Sequence, residues 1–166
     1  WETLNVMVQE NADFKNDFEL KFVGRLDDKI LQKIESSALK NNLTNLGYQT
    51  HDVALKHMQD STVLLMTNFP QESSKGIIPG KIFEYLATGK TILSFGPKDA
   101  DVEKILNETK AGKHFCYDEK ENLKNFILDS YKNWKLGTLN QNAENIEQFS
   151  RKNLTQKLVD LMNKWF

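Results

Sequence analysis

T-V-L-L-M-T (62–67), K-I-F-E-Y-L-A-T (81–88) and T-I-L-S-F (91–95) are the segments on which the fold reading turns. The first is apolar from Val63 to Met66 without alternation, the pattern of a central parallel strand covered on both faces. Pro79 and Gly80 open the second as a helix over 80–88, and Gly89 closes it at the C-cap. The third reads as a strand that starts at once. Strand, helix and strand in this order make a parallel crossover unit.

The same alternation extends in both directions. Residues 2–12 have a helical pattern, and F-E-L-K-F-V-G (18–24) reads as a strand ending at Gly24. Asp27 or Asp28 can cap a helix running to about Lys40, with Ile30, Ile34 and Ala38 repeating at four-residue spacing. A weak strand near 43–47 and a helix over 51–59 lead into the central unit. Beyond it come a helix from Asp99 or Ala100 to Lys110 and a strand over 113–117. Five strands with helical crossovers predict an α/β domain with a doubly wound parallel sheet. The tail from Glu119 to Phe166 reads as helical with one interruption near Gly137. Ser150 is positioned to cap the last helix, whose Leu154, Leu158, Leu161, Met162 and Trp165 form an apolar face. Such a face either packs on its own domain or, if exposed, marks a docking surface for a partner domain.

Composition narrows the functional classes. The 166 residues suffice for one ordinary domain, and 39% hydrophobic with 27% charged residues is a soluble globular balance. A net charge of −1 without a basic stripe argues against a nucleic-acid partner. The run 63–66 is far too short to span a bilayer. Cys116 is the single cysteine, so it forms no internal disulfide, and a reducing compartment is the simplest reading.

Ligands of doubly wound sheets sit outside the C-terminal strand ends. Arg25, residues 49–51, the loop 68–80 and residues 96–98 all follow strand ends. The helix opened by Pro79 and Gly80 offers unpaired amides and a positive dipole end to an anion. Glu84, one turn further on, is placed to accept hydrogen bonds from a neutral diol such as a ribose. Together they suggest a nucleotide-diphosphate pocket; the plainer alternative is a well-started helix with one solvated Glu. Of 22 basic residues only Arg25 and Arg151 are arginine. Only Arg supplies a planar fork for bidentate phosphate contacts, and Arg25 alone follows a strand. Gly89-Lys90-Thr91 is no P-loop, because the first Gly of that motif would fall at Glu84 and the stretch runs from helix into strand.

Three segments in order resemble the C-terminal, donor-binding half of a GT-B-fold glycosyltransferase of the retaining group 1, or family four. They are F-V-G-R-L-D-D-K (22–29), G-I-I-P-G-K-I-F-E-Y-L-A-T-G-K-T-I-L (76–93) and F-S-R-K-N-L-T-Q-K-L-V-D-L (149–161). G-Y-Q-T-H (47–51) and A-G (111–112) lie between them as in that family. The resemblance implies a single nucleotide-sugar-binding domain over 1–166, a Rossmann-like half of the GT-B fold with a helical tail. Arg25 would bind the donor's diphosphate, Glu84 the ribose hydroxyls, and Pro79, Gly80 and Lys81 the phosphate oxygens. Gln49, Thr50 and His51 would flank the base. Arg25 and Glu84 are accordingly the residues expected to matter for catalysis. The implied donor is a nucleotide-diphosphate sugar, the acceptor a glycan or lipid-linked molecule, and no metal or other cofactor is needed. The acceptor domain would precede Trp1, where the chain opens into a helix pattern with no strand before it, and the fragment alone is expected to be inactive. The implied setting is polysaccharide biosynthesis in the bacterial cytoplasm, with peripheral attachment at the inner membrane face as a variant for the full-length protein.

Two positions depart from that family. Gly76 stands where a second Glu is usual, eight residues before Glu84, which removes an expected contact to the sugar. Ile30 stands where a Lys is usual, while Lys29 comes one residue earlier and is either a phosphate contact or a solvated helix residue. Two other classes remain as alternatives. A receiver-like phosphoacceptor module would use Asp27, Asp28 and Lys98, but 62–70 ends T-N-F-P without an acceptor Asp. A GT-B-fold sugar-nucleotide epimerase would share the donor site. His51, His57 and His114 have no metal or triad spacing; His51, after a strand end, is a candidate base or sugar contact.

Overall fold

The computed structural model describes residues 1–139 and 143–165. Packing divides the chain into two units: Trp1–Asp60 with Glu119–Gly137, and Ser61–Asp118 with Thr138–Phe166. In the first, the helix expected over 2–12 is two helices, α1 (Glu2–Glu10) and α2 (Ala12–Asp17). Asn11 separates them, with φ −130° and its side chain accepting the Phe14 amide at 2.9 Å. Asn favours such a cap over a helix interior because its amide competes for backbone partners. Strand β1 (Leu20–Phe22) is shorter than the expected 18–24 because Phe18 still closes α2, its amide bonded to the Phe14 carbonyl at 2.9 Å. Helix α3 (Asp28–Glu35) is capped by Asp27, whose carboxylate accepts the Lys29 amide at 2.9 Å.

Expected to reach Lys40, α3 instead stops at Ser36. The Ser37 hydroxyl donates to the Ile34 carbonyl at 2.7 Å and accepts the Leu39 amide at 3.2 Å, while Asn5 accepts the Ala38 amide at 2.9 Å. These local bonds replace helical ones and start a 3-10 turn over Ala38–Asn42. Strand β2 (Leu43–Asn45) pairs parallel with β1, Leu20 opposite Leu43 and Phe22 opposite Asn45, and α4 (His51–Asp60) follows.

The second unit holds β3 (Val63–Thr67), α5 (Lys81–Thr88), β4 (Thr91–Phe95), α6 (Asp101–Thr109) and β5 (Gly112–Phe115). The three strands form a parallel ladder in the order β3-β4-β5. Within it β4 takes the middle, with Ile92 fully buried, and the run read as a central strand, β3, alternates, burying only Leu64 and Met66. Crossover helices α5 and α6 bury Ile82, Tyr85, Leu86, Val102, Ile105 and Leu106. Gly89 ends α5 at φ 67°, a left-handed cap that costs a glycine nothing.

The tail divides between the units. Helix α7 (Lys120–Lys135) belongs to the first, where Ile127, Leu128 and Tyr131 pack against the core of Met7, Val8, Phe14, Ile34 and Leu39. The interruption at Gly137 (φ 69°) is wider than expected, and residues 140–142 and 166 of the helical reading lie outside the described residues. A 3-10 turn over Ile146–Phe149 precedes α8 (Arg151–Met162), capped as expected by Ser150, which accepts the Asn153 amide at 3.2 Å.

The chain thus adopts the expected α/β class, with parallel strands joined by helices in the manner of a Rossmann-like fold. Among the described residues, five strands hydrogen-bond as ladders of two and three, where one ladder of five was expected. Local patterning locates a strand but carries no information on its distant pairing partner. Among the described residues no helix is long and apolar enough to cross a membrane.

Candidate functional site

Parallel pairing puts all strand C-termini of a ladder at one end, so each unit gathers its own candidate residues. In the first unit, the amide of Gly24 donates to the Gly47 carbonyl at 2.7 Å and that of Leu46 to the Phe22 carbonyl at 3.0 Å. These bonds bring Arg25, just past β1, alongside Gln49, Thr50 and His51, just past β2. The Gln49 side chain is committed, donating to the Leu46 carbonyl at 2.8 Å. Arg25, Thr50 and His51 are exposed. Lys29 is exposed in the first turn of α3, and its amide is taken by Asp27. That bond makes Asp27 a helix cap, as its position suggested.

In the second unit the site is the loop from β3 into α5. The amides of Ile82 and Phe83 turn back onto the Pro79 and Gly80 carbonyls at 3.0 and 3.2 Å. This narrows the expected anion site, because among the described residues only the amides of Gly80 and Lys81 remain without a partner there. Gly80, Lys81 and Glu84 are exposed and Pro79 is half-buried. Below them, Tyr85 is buried and its hydroxyl donates to the Leu65 carbonyl at 3.3 Å, holding α5 on β3. Burial and then the Glu84 charge push the Tyr85 phenol above its ordinary pKa, so it stays a donor. Phe83 lies against Phe149, ring centres 6.4 Å apart.

Asn68 is the organising residue that motif reasoning missed. Its amide donates to the Phe95 carbonyl at 2.8 Å and its side chain to the Ile77 carbonyl at 2.9 Å, while its own carbonyl accepts the Tyr117 hydroxyl at 2.6 Å. One residue therefore ties the ends of β3, β4 and β5 to the loop that delivers Pro79. Ser74, 2% exposed, braces the same loop by donating to the Phe69 and Gln71 carbonyls at 2.6 and 2.8 Å. The signal in the sequence was an Asn at a strand end followed by a long polar loop, too common to single out. His114 is a packing residue: it is buried, with ring nitrogens 3.0 Å from the Ser94 hydroxyl and 3.1 Å from the Pro97 carbonyl. It fixes the turn 96–98 at the same ladder end.

Two surface concavities lie elsewhere. One of about 420 Å³ is lined by Leu106, Asn107, Lys110, Gly112 and Glu144, bridged by the Lys110–Glu144 ion pair at 2.9 Å. Another of about 460 Å³ involves Lys15, Glu19, Asn42 and Thr44 at the opposite end of the first ladder. Neither includes a candidate residue. Among the described residues no three His, Cys, Asp or Glu side chains gather as metal ligands. No protein-family model matches the chain, and no curated protein matches it.

Proposed function

We propose that this chain is the nucleotide-sugar-binding part of a retaining glycosyltransferase of GT-B type. The observation that supports this most is the start of α5: two amides without intrachain partners, an exposed Lys81, and an exposed carboxylate one turn on, all at the C-terminal end of a parallel ladder. Oriented amides and a helix dipole suit a phosphate, and a carboxylate suits neutral hydroxyls as a pure acceptor. On this reading Gly80 and Lys81 hold the donor's phosphate oxygens and Glu84 the ribose diol. When the glycosidic bond breaks, charge develops on the leaving nucleotide diphosphate. Fixed donors at its oxygens stabilise that charge without having to reorganise. Arg25, exposed past β1, carries the resemblance's separate assignment of an arginine to the donor, and its substitution tests that assignment by itself. Lys29 stands one turn further along as a second cation. Transfer itself needs an acceptor domain as well, with a glycan or lipid-linked acceptor.

Calorimetric titration with UDP, GDP and ADP tests this. One nucleotide binds selectively; Glu84→Gln weakens it, and Arg25→Ala costs about 1.5–3 kcal/mol, the range for a charge-assisted phosphate bond. Binding unaffected by either substitution, or absent for all three nucleotides, removes the reading.

A further inference from the structure

Gly76 is a glycine that its backbone does not require, since it lies outside the left-handed region that holds Gly24, Gly47, Gly89 and Gly137. What its missing side chain leaves is room. A Cβ built at residue 76 would meet one neighbouring atom, the carboxylate oxygen Oδ2 of Asp101, at 4.0 Å. Gly76 is exposed and the Asp101 side chain is 40% exposed, so a solute can enter the space between them.

The two residues are held in place from several sides. The Asp101 amide donates to the Lys75 carbonyl at 2.9 Å, which docks the first turn of α6 on the residue before Gly76. The Asn68 side chain donates to the Ile77 carbonyl at 2.9 Å, on the residue after it. Lys104, one turn along α6, takes the other carboxylate oxygen, Oδ1, at 2.8 Å and so fixes the direction of Oδ2. All of these residues belong to the second unit. An ionised carboxylate only accepts hydrogen bonds, so the space suits a group that donates them. Lys104 already matches its charge, which favours a neutral hydroxyl over a second cation. A hydroxyl oxygen bonded to Oδ2 at about 2.7 Å would stand where the outer atoms of a larger side chain at residue 76 would be.

The part of the ligand that reaches this space follows from the order of its groups. With the ribose at Glu84 and the phosphates at Gly80 and Lys81, the ligand runs back along α5 toward the loop before it. The group beyond the second phosphate then falls over residues 76–79. We propose that Asp101 holds the transferred sugar, its Oδ2 accepting sugar hydroxyls across the open face of Gly76. This rests on the nucleotide-sugar reading of the α5 start, and it assigns a residue of α6 that lies outside every segment carrying the resemblance.

Calorimetric titration of the full chain with UDP and UDP-glucose, GDP and GDP-mannose, and ADP and ADP-glucose tests it. For the nucleotide that binds, the sugar conjugate should bind about tenfold more tightly than the bare diphosphate, the lower end for a hydrogen bond to a charged group. Asp101→Asn should remove that advantage and leave the affinity for the bare diphosphate unchanged. Gly76→Ala, whose added carbon makes only an ordinary contact, should fold and bind the diphosphate as before, whereas Gly76→Leu should lose the advantage of the conjugate alone. Lys104→Gln should keep the advantage, because it removes the ion pair and spares the acceptor. Equal affinities for conjugate and diphosphate overturn the proposal and leave the nucleotide reading standing, as does an advantage that survives Asp101→Asn. Loss of the bare diphosphate in Asp101→Asn, or of the advantage in Lys104→Gln, makes the role of Asp101 structural and equally overturns it. No binding of any of the six compounds removes the nucleotide reading and this proposal together.

Discussion

Helices α7 and α8 come from the same tail and have similar amphipathic sequences, yet they end in opposite situations. In α7, Ile127, Leu128 and Tyr131 pack on the first unit's core, and Phe14 meets Tyr131 edge-on at 5.2 Å between ring centres. Its polar flank is tied down as well, by Lys120 to Glu2 at 2.7 Å and Lys124 to Glu10 at 2.8 Å. In α8 the corresponding apolar residues meet no core. The difference teaches that amphipathicity announces a face to be covered and leaves the cover unspecified. Charge placement separates the two: Lys120 and Lys124 of α7 pair with acidic residues of α1, whereas among the described residues no lysine of α8 forms an ion pair.

The contrast can be broken most directly by matched truncations. Leu128→Ala in α7 should destabilise the protein by about 2 kcal/mol in urea unfolding, from lost burial plus a residual cavity. Leu158→Ala in α8 should stay within about 0.5 kcal/mol, since an exposed side chain loses little. Equal costs would mean that α8 is covered in solution.

A smaller effect sharpens the comparison at the helix start. Ser150→Ala removes the cap of α8 and should cost about 1 kcal/mol of local helix stability. Hydrogen exchange should show this as faster exchange across 151–162 alone, with the global unfolding midpoint unchanged. Faster exchange in α7 as well would couple the two helices.

The smallest effect lies in the Asp17–Tyr131–Lys135 cluster that holds the end of α7. Tyr131 donates to Asp17 at 2.6 Å and Lys135 approaches the same carboxylate at 3.1 Å. The Tyr131 hydrogen bond first, and then Lys135, hold the Asp17 carboxyl below its ordinary value of 3.8. A lowered carboxyl pKa contributes stability that is present above the unfolded value and lost as pH falls through the folded one. The wild-type urea midpoint should therefore drop more steeply below about pH 4 than that of Asp17→Asn. Because the group is at the surface, the difference should be slight and shrink in salt. Parallel pH profiles would remove the cluster from the account of α7.

Much of the fold was legible where the physics is local. The caps at Asp27, Ser150 and Gly89 and the strand 91–95 were read from side-chain chemistry and short-range periodicity, and they stand where expected. The candidate site was legible in its residues, less so in its geometry. Pro79, Gly80, Lys81 and Glu84 stand together at one helix start, but the turn-back of the Ile82 and Phe83 amides depends on the path of the preceding loop. That path is held by Asn68, whose three hydrogen bonds reach Ile77, Phe95 and Tyr117, up to forty-nine residues away. The early end of α3 is intermediate: Ser36 and Ser37 were visible, but the Asn5 side chain that receives Ala38 was not.

By itself, then, the sequence determined the alternation of helices and strands that makes the α/β class, that the strands are parallel, and which helix faces are apolar. Those follow from dihedral preferences, caps and spacing within a few residues. Only the tertiary structure decided that the strands pair as two and three, that α7 joins the first unit, and that α8 remains uncovered. A buried face or a ladder needs a partner from a distant part of the chain, and periodicity records the need for one without naming it.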